Sequence, residues 1–85
     1  MINTHERTFK TTTVDYCYCL PKHLNRCISD FKKIAEKANL YCYLAKFGED
    51  FLTPNHQNFA LIGIQARESE YYLILNFYKE VRHEK

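Results

Sequence analysis

Residues 8–40 read TFKTTTVDYCYCLPKHLNRCISDFKKIAEKANL, and the other elements are arranged around this segment. Its first part, 8–20, is rich in β-branched and aromatic residues, which favour a strand. Pro21 suits the first position of a helix, and apolar residues recur over 24–38 at spacings of three and four. Asn39 is typical of a left-handed helix end. The segment therefore predicts a strand followed by one amphipathic helix.

Three shorter β-rich segments follow the predicted helix. We expect strands over 41–47, 59–66 and 71–79, with a polar hairpin connection at 67–70. The resulting β-α-β-β-β order predicts an α+β fold, with one helix packed on one face of a four-stranded, mostly antiparallel sheet. We expect the first two strands to lie side by side and the two later connections to be antiparallel hairpins. The alternative is a helix over 70–82, which would give the order β-α-β-β-α.

Length and composition limit the class of protein. A chain of 85 residues forms one small domain, 1–85, whose ends at 1–7 and 82–85 we expect to be frayed. Its 46% hydrophobic content argues against disorder, and no apolar run is long enough to cross a membrane. The first twenty residues lack the apolar centre of a signal peptide, which predicts a cytoplasmic protein. A net charge of +2 is too small to imply a nucleic-acid or membrane partner by itself.

Tyrosine is the most informative residue type, with seven copies in the chain. One helix covers only one side of a sheet, and the small and aliphatic strand residues suit that side best. Strand alternation then sends six tyrosines to the uncovered side. These predicted partner-binding residues are Tyr16, Tyr18, Tyr41, Tyr43, Tyr72 and Tyr78. Tyrosine is enriched at protein interfaces, although cross-strand tyrosine pairs can also serve only to stabilise a sheet.

The sequence carries no recognisable catalytic motif. Gly48 and Gly63 are the only glycines, so no phosphate-binding glycine loop is possible, and neither G-x-S-x-G nor H-E-x-x-H occurs. We therefore expect a non-catalytic protein without a cofactor, which binds another protein and acts by steric occlusion. Its size suits an inhibitor, antitoxin or immunity protein, including a phage- or plasmid-encoded blocker of host defence. A homodimer formed through the same face is compatible with this expectation.

The alternative function is binding of RNA or single-stranded DNA. Bases would stack on the tyrosines, and phosphates would contact the basic face of the helix. The basic residues in question are Lys22, Arg26, Lys33 and Lys37. On the strands and hairpins near the tyrosines, acidic residues outnumber basic ones, which favours a protein partner.

One cluster has a metal-like composition: Cys17, Cys19, His23 and Cys27 could supply four nitrogen and sulfur ligands to zinc. The spacing matches no common zinc pattern, and Cys27 falls on the apolar stripe of the helix. We therefore expect no metal, and we expect the cysteines to be small buried residues in reduced form.

Overall fold

The computed structural model describes residues 7–46 and 54–81. In chain order the elements are β1 (Thr8–Cys19), a 3₁₀ turn (Pro21–His23), α1 (Leu24–Lys37), β2 (Tyr41–Lys46), β3 (Asn58–Arg67) and β4 (Glu70–Val81). The predicted β-α-β-β-β order is confirmed. The alternative C-terminal helix is wrong, because 70–81 is extended and buries alternate residues, among them Leu73 and Leu75. We expect fraying at 1–7 and 82–85. Residues 1–6 and 82–85 lie outside the described residues, whereas Arg7 is hydrogen-bonded to Glu80.

The sheet has the strand order β1-β4-β3-β2. β4 pairs antiparallel with both β1 and β3, whereas β2 pairs parallel with β3. The sheet is thus mostly antiparallel, as predicted, but two expectations about it are wrong. First, β1 and β2 lie at opposite edges of the sheet. Second, β2 and β3 are parallel, so the connection between them is a crossover and not a hairpin.

Two turns and one bulge set the geometry of the sheet. Asn39 ends the helical segment with φ of 59°, the left-handed conformation that the sequence predicts there. Glu68 adopts φ of 48° in the tight β3–β4 turn. In β1 the pairing with β4 shifts between Thr13 and Asp15, so that Val14 is an extra residue in a β-bulge. Because of this bulge, each residue before Val14 points to the sheet face opposite to the one that strict alternation would give it.

The main core lies between α1 and one face of the sheet. Ile62, Leu73 and Leu75 from the central strands are fully buried, and Phe31 and Ala35 from the helix pack on them. Burying each large aliphatic side chain contributes about 1.5–3 kcal/mol relative to leaving it in water. The predicted helix-facing side chains are therefore those that form the core.

Within the described residues, the 14-residue helix α1 is the longest helix, and none there is long and apolar enough to cross a membrane.

Candidate interaction face

Six of the seven tyrosines lie on the sheet face that α1 leaves uncovered. Leu73 and Leu75 belong to the core beneath the helix, so their neighbours in β4 point the other way. The cross-strand register places the remaining tyrosines on that same face. The six are Tyr16, Tyr18, Tyr41, Tyr43, Tyr72 and Tyr78. Tyr71 is the exception, since it packs against the core on the helix side.

At one end of this face, four aromatic rings form a second small core. Phe59 is only 1% exposed although the helix does not cover it. Its ring stacks on Tyr78 with centroids 4.8 Å apart, and it meets the rings of Phe9 and Tyr43 edge-on at 5.4 and 5.7 Å. We call Phe9, Tyr43, Phe59 and Tyr78 the closed cluster. Its rings pack against one another, so this part of the face contributes to folding.

An arginine holds the closed cluster in place. The Arg7 guanidinium donates two hydrogen bonds of 3.0 Å to the Glu80 carboxylate and lies 4.9 Å from the centroid of Phe9. It also donates to the backbone carbonyls of Pro54 and His56. An arginine is protonated at any physiological pH, and the hydrogen bond to Glu80 raises the pKa of Arg7 further. Arg7 therefore ties the segment before β3 to the end of β4.

His56 joins the edge strand β2 to the same end of the sheet. Its Nδ1 lies 2.7 Å from the hydroxyl of Tyr43, within hydrogen-bond distance. Its ring stacks on Tyr41 with centroids 5.0 Å apart. Tyr41 remains 58% exposed, so it is a surface tyrosine with one ring face engaged by a histidine.

At the opposite end of the face, β1 and β4 present a second group of rings. Tyr18 lies opposite Tyr72 with centroids 4.7 Å apart, and Tyr16 lies 6.2 Å from Tyr72. The Arg67 guanidinium sits 5.4 Å from the centroid of Tyr72. We call Tyr16, Tyr18, Arg67 and Tyr72 the open cluster. Tyr16 is 60% exposed and Tyr18 is 54% exposed, so the two outer rings face solvent.

The charges on this face are nearly balanced. Arg7 forms an ion pair with Glu80 at 3.0 Å, and Arg67 lies directly across the β3–β4 pair from Glu70. Residues of the described chain thus place no excess of basic groups beside the exposed rings. A phosphate backbone requires such an excess, and the described part of this face does not supply one.

The four basic residues of the alternative function lie on the other side of the molecule. Lys22 is on the 3₁₀ turn, and the others are exposed on the outer surface of α1. Helical spacing places Asp30 in the same stripe, where it offsets part of the positive charge. The stripe consists of Lys22, Arg26, Lys33 and Lys37. The sheet separates this stripe from the tyrosines, so the two parts of the alternative site lie on opposite sides of the molecule.

The cysteines pack at the helix–sheet interface and form no metal site there. Burial raises the pKa of Cys17 to about 12 and that of Cys19 to about 11, and a hydrogen bond to Cys27 adds to both shifts. A raised pKa makes these thiols less reactive than an exposed cysteine. Among residues 7–46 and 54–81, no three His, Cys, Asp or Glu side chains are placed to hold a metal ion. In the described part of the chain, Cys17, Cys19, His23 and Cys27 are thus not gathered into a set of metal ligands.

The residues that separate the two clusters are not among those that the sequence predicts as site residues. Ala60 and Ile62 face the helix, and Phe59 lies one position before Ala60. Strand alternation therefore places Phe59 on the same face as the tyrosines. Arg7 was assigned to a polar chain end, and no local pattern links it to Glu80, which is 73 positions away. Arg67 was placed in the hairpin connection, but it lies at the end of β3 beside Tyr72.

No protein-family model, curated protein or solved structure matches this chain. The function is therefore argued from the geometry of its own residues.

Proposed function

We propose that this protein is a small non-catalytic binding module that captures another protein through the open cluster. One observation carries the proposal. Tyr16 and Tyr18 remain 60% and 54% exposed, whereas Phe59 on the same face is 1% exposed and packs against other aromatic rings. The fold can bury aromatic residues on this face, so the exposure of two adjacent rings is not imposed by the lack of a covering helix.

The size and composition of the open cluster suit the centre of an interface. A tyrosine side chain offers about 150–250 Å², so at the observed exposures the two rings present roughly 170–290 Å² together. Two further exposed apolar residues are near these rings in the sequence, Val14 in β1 and Leu20 directly after it. Functional apolar patches on monomers measure about 300–600 Å². Tyrosine and arginine are also the residue types enriched among interface hot spots.

The proposed mechanism is steric occlusion. Tyr72 supports the outer rings from the central strand, so Tyr16 and Tyr18 act as anchors with little side-chain freedom left to lose. Nothing in such a mechanism needs a nucleophile or a metal. It is the mechanism of an inhibitor, antitoxin or immunity protein, and a phage- or plasmid-encoded blocker of host defence would act in the same way.

Free thiols support a cytoplasmic location for this proposal. Cys17, Cys19, Cys27 and Cys42 are all unpaired. Oxidising compartments favour disulfides in small domains, whereas the cytoplasm keeps thiols reduced. The partner is therefore expected to be a cytoplasmic protein, and a second copy of the chain is one such protein.

Affinity capture with matched variants tests the proposal. The bait is the full chain as wild type, as Tyr16→Ser/Tyr18→Ser, or as Tyr41→Ser. Each is used in lysate with and without nuclease treatment, after circular dichroism has verified its fold. We expect wild type and Tyr41→Ser to retain the same protein and the double variant to lose it. Tyr41→Ser is the control because it removes a tyrosine of similar exposure from the other end of the face. Undiminished capture by the folded double variant, or capture that nuclease abolishes, would refute the proposal.

A further inference from the structure

A groove lies on the helix side of the sheet, at the end that α1 does not reach. Its volume is about 480 Å³, within the range of small-molecule sites. Phe77 and Leu40 provide an apolar base, and Ala38 and Asn58 lie at its sides. Lys10 and Lys79 also line it. The groove therefore combines apolar surface with two positive charges.

The two lysines are brought together by the strand register. Lys10 of β1 lies directly opposite Lys79 of β4, so both side chains leave the sheet on the same face. Like charges in this arrangement destabilise a sheet. In the described part of the chain, neither ammonium forms an ion pair with a carboxylate, since the ion pair found there joins Arg7 to Glu80. The register thus leaves a repulsion that an anion between the lysines would relieve.

The end of α1 does not neutralise this charge. Its last carbonyls already accept backbone hydrogen bonds from the N–H groups of Ala38, Asn39 and Leu40. The carbonyls of Ile34, Ala35 and Glu36 are thus occupied by the chain itself and do not need the lysines as donors.

We propose that this groove binds a small amphipathic anion, with its acidic group between Lys10 and Lys79 and its apolar body on Phe77 and Leu40. The acidic group accepts charge-assisted hydrogen bonds from both ammoniums. The apolar body covers surface that the helix leaves open. A carboxylate on an aliphatic chain is the simplest ligand of this class. The site lies on the face opposite the open cluster, so the two proposals are independent.

Titration of the full chain with octanoate, followed by amide chemical shifts in solution NMR, tests this site. We expect saturable shifts at Lys10, Thr12, Phe77 and Lys79. We expect at least tenfold weaker binding of 1-octanol, which lacks the charge, and of acetate, which lacks the chain. Shifts centred on the tyrosine face, equal binding of 1-octanol, or no saturable shift with octanoate would overturn the proposal.

Charge-removing variants identify the residues responsible. Lys10→Gln and Lys79→Gln are each expected to weaken octanoate binding about tenfold, the factor that one charge-assisted hydrogen bond supplies. Lys22→Gln and Lys33→Gln remove the same charge from the helical segment and should leave the affinity unchanged, as should Tyr16→Ser/Tyr18→Ser. Without ligand, the Lys10→Gln protein should unfold at a higher denaturant concentration than wild type, because the repulsion is gone. Equal octanoate affinity in all these variants would refute the site.

Discussion

The closed cluster and the open cluster share one face of one sheet and are built from similar side chains, yet they differ in what surrounds them. In the closed cluster a phenylalanine lies beneath the tyrosines, and Arg7 with its partner Glu80 holds the edge. In the open cluster Tyr72 is flanked by two rings that remain largely in solvent. A tyrosine on an uncovered sheet face therefore has no fixed role. Its neighbours determine whether it stabilises the fold or remains available to a partner.

The largest expected effect separates the clusters by stability. Phe59→Ala removes the buried ring of the closed cluster and should lower the free energy of unfolding by about 3–5 kcal/mol. Urea denaturation of this variant beside Tyr18→Ala measures the difference. Equal losses for the two substitutions would remove the distinction between the clusters.

The two arginines give the second comparison. Arg7→Ala breaks the ion pair with Glu80 and the hydrogen bonds to the carbonyls of Pro54 and His56, so its loss of stability should exceed that of Arg67→Ala. Arg67 makes a cation–π contact at an exposed position, and its removal should cost about 0.5–1 kcal/mol. The denaturation midpoints of both variants decide the matter. A midpoint for Arg7→Ala at or above that of Arg67→Ala would show that Arg7 does not hold the closed cluster.

Asn76 lies between the two clusters on the same face, and its buried Oδ1 accepts no hydrogen bond from the described residues. An unsatisfied buried acceptor is costly, and replacing it with an apolar group of similar size recovers that cost. Asn76→Leu should therefore raise the free energy of unfolding by about 1 kcal/mol. Asn76→Asp is the control and should lower it, because a carboxylate is harder to bury. Thermal or urea unfolding checks both, and a destabilised Asn76→Leu protein would mean that the amide forms a needed hydrogen bond.

The smallest expected effect belongs to the open cluster. Tyr18→Ser removes one cross-strand pair with Tyr72, and such pairs contribute about 0.2–1 kcal/mol. The free energy of unfolding should fall by no more than this amount, while capture of the partner is impaired. A loss as large as that of Phe59→Ala would assign Tyr18 to the core of the fold.

The sequence predicts what depends on local periodicity. The helix, its left-handed end at Asn39 and the helix-facing residues all follow from spacing within a single element. The strand order does not, because it depends on where the connection 47–57 returns the chain, and no local pattern specifies that path.

The bulge explains why alternation in the sequence does not predict the two clusters. Val14 is an extra residue in β1, so it reverses the faces of the residues before it and brings Phe9 to the tyrosine side. Strict alternation from Tyr16 backwards would have placed Phe9 under the helix. The partition into a closed and an open cluster thus depends on one irregular residue and on the contact between Arg7 and Glu80, which are far apart in sequence.

Tyrosine nitration of the free protein and of the captured complex, mapped by mass spectrometry, tests most directly that the partner sits on the open cluster. In the free protein we expect modification at the three tyrosines that are more than half exposed, Tyr16, Tyr18 and Tyr41. In the complex, Tyr16 and Tyr18 should be protected while Tyr41 still reacts. Protection of Tyr41 with continued nitration of Tyr16 and Tyr18 would contradict the account.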